Sequence, residues 1–284
     1  MALSLKKLGT RALTALVFVL VLLTGLLWNY YSFTLLFFII AIWGLYEFYK
    51  VCEALGAAPQ KNLGYLLGGI SYFAFVEGDL FLTGLSIVLA SLQLTLLCFP
   101  FVIFAGAVFS KKTLPFSNAI YTMVGIIYTV LPFALLHHLV ITHRPEAPYL
   151  FFDPSTLLGV ILLIWCNDTF AYLGGSIFGK HKLIERVSPG KTWEGTAFGV
   201  LVTFGGSFVI AHFQPATAAQ LWVVMGLLVP LLATLGDLVQ SAMKRQAAIK
   251  DTGSIMPGHG GILDRFDSLI FVTPFVVVLT KLMA

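Results

Sequence analysis

The sequence has little charge and no long polar stretch. Only 11% of its 284 residues are charged, and 58% are hydrophobic. Soluble domains carry about a quarter charged residues. A soluble globular fold is therefore excluded, and no polar stretch is long enough for a separate soluble domain. The formal net charge is only +4, and no nucleic-acid partner is expected.

Cysteine is also scarce. The three cysteines, Cys52, Cys98 and Cys166, lie within or beside apolar runs. Their odd number and their spacing exclude both a disulfide framework and a cysteine metal site. We expect them to pack as small apolar residues.

What the chain does have is a series of apolar segments, each near the roughly 20 residues that cross a bilayer. The first is expected to be a retained helix, because no signal-peptide cleavage site follows it. The pattern predicts an all-α polytopic integral membrane protein of about nine transmembrane helices. We divide it into region 1–153 (helices 1–5) and a catalytic region 154–284 (helices 6–9). The predicted spans are 11–28, 31–49, 62–78, 80–109, 118–141, 154–176, 195–213, 218–238 and 268–283.

The positions of the basic residues predict the orientation. With nine spans and a cytoplasmic N-terminus, all of the 17 Lys and Arg residues lie on the inner side except Arg144 and Lys281. This asymmetry follows the positive-inside rule. It places the two richest polar loops, 177–194 and 239–267, together on the cytoplasmic face. Glu47 and Glu53 are expected to be charges at the membrane interface.

The stretch 241–267 is the most highly charged part of the chain. On a helix that continues past residue 238, Asp237, Ser241 and Lys244 share one face. Asp264 returns just before the last span. Two carboxylates from two helix ends suit Mg²⁺, which takes few protein oxygens and leaves places for phosphate and water. The alternative is that Asp237 caps its helix or pairs with Lys244 or Arg245.

The cations of this stretch suit an anionic substrate. Two like charges 4 Å apart repel by about 4 kcal/mol at an effective dielectric near 20, and basic side chains offset that cost. The candidates are Lys244, Arg245, Lys250 and Arg265, although anchoring to anionic headgroups is an alternative. His259 lies among glycines that let backbone amides approach phosphate oxygens. A structural hydrogen bond is an equal alternative for His259.

Two further clusters lie nearby in the sequence. Ser188, Lys191 and Thr192 precede the seventh span and can bind phosphate at its N-terminus. They do not form a Walker A loop, because Glu185 stands where that loop needs glycine. Helix capping is the alternative. Asn167 and Asp168 lie inside the sixth span, where polar residues usually mark function. A structural pair with a lysine is the alternative for Asp168.

These motifs together resemble those of the phosphatidate cytidylyltransferases (CDP-diacylglycerol synthases). The resemblance is carried by Ser241-x-Met243-Lys244-Arg245-x4-Lys250-Asp251-x-Gly253 and Pro257-x-His259-Gly260-Gly261-Ile262-x-Asp264-Arg265-Phe266-Asp267. The Asn167-Asp168 pair and the run Ser188-Pro189-x-Lys191-Thr192-x-Glu194-Gly195 are also similar. Gly190 departs from the pattern, because a second lysine is common there. Segments one to five match only in being apolar.

The resemblance implies transfer of the cytidylyl group of CTP to phosphatidate, which gives CDP-diacylglycerol and pyrophosphate. It implies Mg²⁺ at Asp237 and Asp264, with K⁺ as a second cation, and a homodimer in the bilayer. From the residues we assign catalytic roles to Lys244 and Arg265 beside these two. Substrate binding is assigned to Ser188, Lys191, Thr192, Ser241, Arg245, Lys250, His259, Asn167 and Asp168. We expect a bacterial inner membrane with the active site at its cytoplasmic face.

Two other functions remain open at this point. A CTP-dependent lipid-alcohol kinase would need the same metal and nucleotide groups but would transfer the γ-phosphoryl group. An ion-coupled transporter would use the intramembrane carboxylates. The crowding of polar residues at the cytoplasmic ends, rather than at the midplane, disfavours the transporter.

Overall fold

The computed structural model of the chain describes residues 5–76, 93–143, 150–214, 217–255 and 260–283. This part is mostly helical, as the apolar segments predict. A 3₁₀ turn, Leu96–Cys98, precedes the helix Phe99–Val108, and a π-helical turn, Ile126–Val130, joins the helix Pro115–Gly125 to the helix Leu131–Leu135. The helices are α1 (Leu5–Leu27), α2 (Tyr30–Ala54), α3 (Lys61–Phe73), α4 (Phe99–Val108), α5 (Pro115–Gly125), α6 (Leu131–Leu135), α7 (His137–Val140), α8 (Ser155–Phe178), α9 (Trp193–Phe213), α10 (Ala219–Gln246) and α11 (Leu263–Met283).

Six helical stretches of the described residues are long and apolar enough to cross a membrane. They are Tyr30–Ala54, Pro115–Val140, Ser155–Phe178, Trp193–Phe213, Ala219–Gln246 and Leu263–Met283. This identifies the chain as a helical membrane protein. Shorter apolar helices at Ala12–Leu27 and Gln93–Val108 overlap two more of the predicted spans. The count of nine spans stays a prediction.

Two small antiparallel hairpins interrupt the helices, so the all-α prediction is incomplete. Strand β1 (Ile141–His143) pairs with β2 (Leu150–Phe152). Strand β3 (Lys182–Ile184) pairs with β4 (Ser188–Thr192), with Lys182 opposite Thr192. The predicted polar loop 177–194 therefore contains a hairpin that fixes the positions of its motif residues.

The chain divides into two compact units. The first comprises residues 1–152 and 246–265, and the second comprises residues 153–245 and 266–284. The predicted division at 153/154 lies close to the first of these boundaries. The segment 246–265 differs, because the sequence-based division places it in the C-terminal region. The physical reason is its set of hydrogen bonds to α2, described below.

In the first unit, α2 is the central element. It packs against α1, α3, α5 and the π-helical turn. Its polar groups are satisfied from neighbouring helices: Tyr49 Oη donates to the carbonyl of Thr122 at 3.0 Å, and Tyr72 Oη donates to that of Thr34 at 2.9 Å. Without water in the bilayer core, such internal partners are required.

In the second unit, α8 and α9 pack closely through small residues. A Cβ at Gly195 would lie 2.8 Å from the Cα of Gly175, so the two backbones touch here. Farther along α8, Gly159 faces the fully buried indole of Trp222 on α10. Small residues at such contacts allow the close approach that stabilises helices in a membrane.

The Gly159 contact generates a stability prediction. A Cβ there would lie 2.9 Å from Trp222 Cζ3 and 3.2 Å from Ile210 Cγ2. The rigid, buried indole cannot yield cheaply, so Gly159→Ala should cost about 1–3 kcal/mol of stability. The measurement is the thermal unfolding midpoint of the purified protein in detergent.

Gly205→Ala is the matched control on α9, because nothing lies within 4 Å of the added Cβ. It should be neutral or slightly stabilising, since alanine is the better helix former. Equal midpoints for the two variants would show that the Gly159 contact does not limit packing.

Candidate active site

The second unit contains a cavity of about 450 Å³. This volume falls in the range of small-molecule sites, about 300–1,000 Å³. Four elements contribute its polar lining: α8, strand β4, α9 and α10. Of the residues predicted from sequence, the cavity brings together Asn167, Asp168, Ser188, Lys191, Thr192 and Asp237.

An ion pair crosses this cavity. The Lys191 ammonium, on β4, contacts Asp237 Oδ2, on α10, and the two side chains are 27% and 34% exposed. The sequence offered Lys244 and Arg245 as partners of Asp237, and the structure shows that Lys191 of the hairpin is a partner that the sequence did not indicate. Both charges therefore remain within reach of a ligand in the cavity while they neutralise each other.

Three carboxylates interact around this pair. The carboxylates of Asp168 and Asp237 lie close enough to Asp267 to repel its negative charge, and the Lys244 ammonium lies close enough to attract it. Asp168 is also attracted by Lys191. Carboxylates near one another in an apolar protein repel, and a nearby ammonium offsets part of that repulsion. Asp267 was absent from the predicted site, although it closes the charged motif.

The carboxylates suit Mg²⁺ by their chemistry, because hard cations prefer carboxylate oxygens. Within the described ranges, no group of three or more His, Cys, Asp or Glu side chains is gathered to hold a metal ion. Mg²⁺ usually needs only one or two carboxylates and takes its other ligands from water and substrate phosphates. Asp237, which lines the cavity, fits that requirement.

The hairpin that carries Lys191 is fixed by Glu194 in the first turn of α9. Its carboxylate accepts the backbone N–H groups of Lys180 at 3.1 Å and of His181 at 3.1 and 3.2 Å, and it contacts His181 Nδ1 at 2.6 Å. On the hairpin itself, Lys182 Nζ donates to the carbonyl of Pro189 at 2.7 Å. These bonds tie the start of the hairpin to the helix that follows it.

Thr192 caps α9. Its Oγ1 accepts the backbone N–H of Gly195 at 3.2 Å, and the side chain is buried. The capping alternative named from the sequence is therefore realised for Thr192. Its contact with substrate stays a prediction and is compatible with capping, because a hydroxyl that accepts one hydrogen bond can still donate another.

Helix α10 continues to Gln246, so the predicted face of Asp237, Ser241 and Lys244 exists on one helix. Ser241 Oγ lies 3.5 Å from Asp237 Oδ1. Arg245, near the end of the same helix, is exposed, and its Nε donates to the carbonyl of Val187 at 3.4 Å. Arg245 thus contacts the hairpin from α10.

The first unit holds the other predicted residues, in the motif loop (residues 247–262) and the start of α11. Asp264 Oδ2 accepts Thr252 N–H at 2.9 Å and Gly261 N–H at 3.0 Å, and it lies 3.1 Å from Thr252 Oγ1. Asp264 therefore organises the loop, and its role as a metal ligand stays a prediction. Lys250 and Arg265 are exposed. His259 lies outside the described residues.

Glu47 is the main residue that sequence reasoning misjudged. It was expected at the membrane interface, but it is only 1% exposed. Its carboxylate accepts Ile262 N–H at 3.0 Å, Leu263 N–H at 2.9 Å and Thr252 Oγ1–H at 3.0 Å. The physical reason for the error is that these partners lie more than 200 residues away in the chain.

Comparisons with known proteins show the family of the chain. A model of the cytidylyltransferase family matches residues 9–283. The phosphatidate cytidylyltransferase of Staphylococcus aureus (strain COL) is 35% identical over 187 residues, which cover 65% of this chain and 68% of that protein. That of Haemophilus influenzae (strain Rd) is 39% identical over 153 residues, 52% of each chain. The chain belongs to the cytidylyltransferase family. It is a nucleotidyltransferase enzyme.

In this family member, the cavity also has lining residues that the sequence reasoning did not select. Most follow helical spacing from selected ones, which is the signal that could have found them. On α8, Ala171 and Gly175 lie four and eight residues after Asn167, and Tyr172 and Ser176 lie four and eight residues after Asp168. Thr196 on α9 lies four residues after Thr192, and Thr234 on α10 lies three residues before Asp237. The residues are Ala171, Tyr172, Gly175, Ser176, Gly190, Thr196 and Thr234.

The Glu194 contacts generate a prediction for the hairpin. Glu194→Gln removes one of the two carboxylate oxygens that accept from Lys180 and His181. Backbone amides of the hairpin should exchange with deuterium several-fold faster, because their local opening becomes easier. Nucleotide-dependent turnover should fall in parallel, since Lys191 is held by the same hairpin.

Glu185→Gln is the matched control, because it removes the same charge from an exposed position of the same hairpin. It should leave both exchange and turnover unchanged. If both variants behave alike, net charge rather than the Glu194 hydrogen bonds governs the hairpin.

Proposed function

We propose that this protein transfers the cytidylyl group of CTP to phosphatidate and releases pyrophosphate. The observation that carries the proposal is the family match over residues 9–283, together with relatives named phosphatidate cytidylyltransferase. A membrane-embedded enzyme suits this reaction, because one substrate is a lipid and the other is a soluble nucleotide. The cavity of the second unit, with its paired charges, supports the proposal.

The bond changes need no protein nucleophile. An ionised phosphate oxygen of phosphatidate attacks the α-phosphorus of CTP, a new P–O–P bond forms, and the bond from the α-phosphorus to the β-phosphate oxygen breaks. The bonding electrons leave with pyrophosphate. The enzyme must therefore position two anions in line and offset their repulsion, which are the main tasks in phosphate-transfer catalysis.

Lys191 is the cation best placed for this task, because it lines the cavity. In the proposal, a phosphate group draws the Lys191 ammonium away from Asp237. The N-terminus of α9 lies immediately after Lys191 and Thr192, and helix N-termini favour anions through their N–H groups. Ser188 and Thr192 add hydroxyl donors at the same wall of the cavity.

Asp237 and Asp264 are the proposed Mg²⁺ ligands, with K⁺ as a second cation. These two carboxylates would hold Mg²⁺, and the chemistry that it would supply there is positive charge to offset the charge of the phosphates. Asp237 is supported by its position in the cavity, and Asp264 by the sequence motif. The remaining predicted residues have roles in the same proposal. Asn167 and Asp168 line the polar cavity. The residues that contact phosphates, or that position residues that do, are Ser241, Lys244, Arg245, Lys250, His259 and Arg265.

The proposal includes the placement of the enzyme. We propose nine spans with a cytoplasmic N-terminus, because the distribution of Lys and Arg follows the positive-inside rule. The active site then faces the cytoplasm, where CTP is available, in the inner membrane of a bacterium. A homodimer is proposed from the family resemblance alone.

Labelled CTP tests the reaction directly. With purified protein, Mg²⁺ and phosphatidate, a radiolabel at the α-phosphorus of CTP should enter the lipid, and one at the γ-phosphorus should appear in pyrophosphate. A lipid-alcohol kinase would give the opposite result, with the γ-label in the lipid and CDP as product. Absence of any CTP consumption would overturn the proposal.

The carboxylate assignment generates a separate prediction. Asp237→Asn should lower turnover by about 100-fold or more, because the proposed metal site loses one carboxylate oxygen and the negative charge of that side chain. Asp264→Asn should abolish turnover while the protein remains folded, although it also disturbs the hydrogen bonds that Oδ2 accepts in the motif loop.

The control is Asp153→Asn, since Asp153 Oδ1 accepts Ser155 N–H at 3.0 Å, a bond that asparagine can keep. Its turnover should match that of the unmodified protein. Near-normal activity of both Asp237→Asn and Asp264→Asn would refute the metal role, and the folding of each variant is checked by its thermal unfolding midpoint.

A further inference from the structure

We infer that Glu47 is a positioning residue for the reaction, acting through the motif loop. The inference rests on the proposed function for its kinetic part and on the structure of the first unit for the rest. Glu47 belongs to α2, in the part of the chain that resembles the family only in being apolar. Nothing in the charged motif indicates that its loop depends on a residue there.

Glu47 is buried within the first unit. At 1% exposure, a carboxylate loses nearly all of its contact with water, and it must recover that energy from donors in the protein. Its three donors are all in the motif loop or the first residue of α11. A buried carboxylate without hydrogen-bond donors would be costly, and these three donors offset that cost.

The second step is the start of α11. The first N–H groups of a helix have no partner within the helix. Glu47 Oε1 accepts that of Ile262 and Oε2 accepts that of Leu263. Both oxygens are used as acceptors, which fixes the orientation of the carboxylate and, with it, the point at which α11 begins. Asp264 and Arg265 follow immediately.

The third step is Thr252, which links two carboxylates. Its Oγ1 lies 3.0 Å from Glu47 Oε2 and 3.1 Å from Asp264 Oδ2. The single hydroxyl proton can be donated to one of them at a time. Thr252 N–H also donates to Asp264 Oδ2. A displacement of Glu47 is therefore transmitted to the carboxylate predicted to act at the metal.

The fourth step is the space around Glu47. A Cβ at Gly253 would lie 2.8 Å from Glu47 Cδ, and one at Gly261 would lie 2.6 Å from it. Neither glycine has a positive φ, so it is proximity to the carboxylate, rather than backbone conformation, that requires glycine at both positions. The loop encloses the carboxylate on two sides.

The test uses the full-length protein with Glu47→Gln, Thr252→Val and the double variant. In either orientation of the amide that Glu47→Gln introduces, its NH₂ group faces the N–H of Ile262 or of Leu263, so one hydrogen bond is lost. Amide exchange at Thr252, Gly261, Ile262 and Leu263 should become about tenfold faster. The kcat with CTP and phosphatidate should fall about 10- to 100-fold, while KM for phosphatidate changes little.

Thr252→Val should show a smaller loss of kcat. The double variant should lose less than the product of the two single losses, because both residues act along one path to Asp264. Thr34→Val is the control. Thr34 is buried on the same helix, and its hydroxyl bonds to the carbonyl of Tyr30 and lies 3.4 Å from His137 Nε2, neither of which belongs to the motif loop. It should change neither loop exchange nor kcat.

The outcomes separate the inference from the proposed function. If the unmodified protein does not consume CTP, the proposed function fails, and the exchange measurement still decides whether Glu47 orders the loop. If Glu47→Gln lowers the unfolding midpoint but leaves kcat per folded molecule unchanged, the role is structural only and the positioning role is overturned. Unchanged exchange and unchanged kcat would overturn it as well.

Discussion

The ion pair between Lys191 and Asp237 is the interaction on which the candidate site depends. A charge in an apolar protein must be neutralised by a partner or by hydrogen bonds. Here the partners come from strand β4 and helix α10, so their attraction joins the hairpin to the wall of the cavity. In the proposed reaction, each member of the pair would change partner: Lys191 would bind a phosphate in place of Asp237, and Asp237 would bind a divalent cation in place of Lys191.

Glu47 solves the same physical problem in a different way. Its charge is met by N–H and O–H donors of the motif loop rather than by an opposite charge. Backbone donors cannot be exchanged for a ligand without unfolding the loop, so this carboxylate holds structure permanently. Of the two carboxylates, Asp237 lines the cavity, whereas Glu47 is held by donors of the motif loop and of the first residue of α11. Asp264 combines features of both, since it is a motif residue whose Oδ2 accepts two backbone N–H groups and lies 3.1 Å from Thr252 Oγ1.

The sequence predicted the helical membrane fold and much of the cavity because those features are local. Apolar length predicts a span, and helical spacing places Asp237, Ser241 and Lys244 on one face. The partner of Asp237 could not be predicted, since the β3–β4 hairpin lies within a polar loop without a clear alternation of apolar residues. Glu47 could not be assigned either: a single acid near the end of an apolar helix is typical of an interface charge, and only the folded chain brings residues 47 and 252 together.

Two glycines of the motif lie close to a carboxylate of the protein itself. Their spacing suggested a backbone that approaches phosphate closely. In the folded chain, Gly253 and Gly261 do approach an anion closely, but that anion is the Glu47 carboxylate, and Gly261 N–H donates to Asp264. Gly260, with φ near +83°, is required by backbone conformation instead. Glycine thus indicates an anion near the backbone without saying whether that anion belongs to a substrate or to the protein.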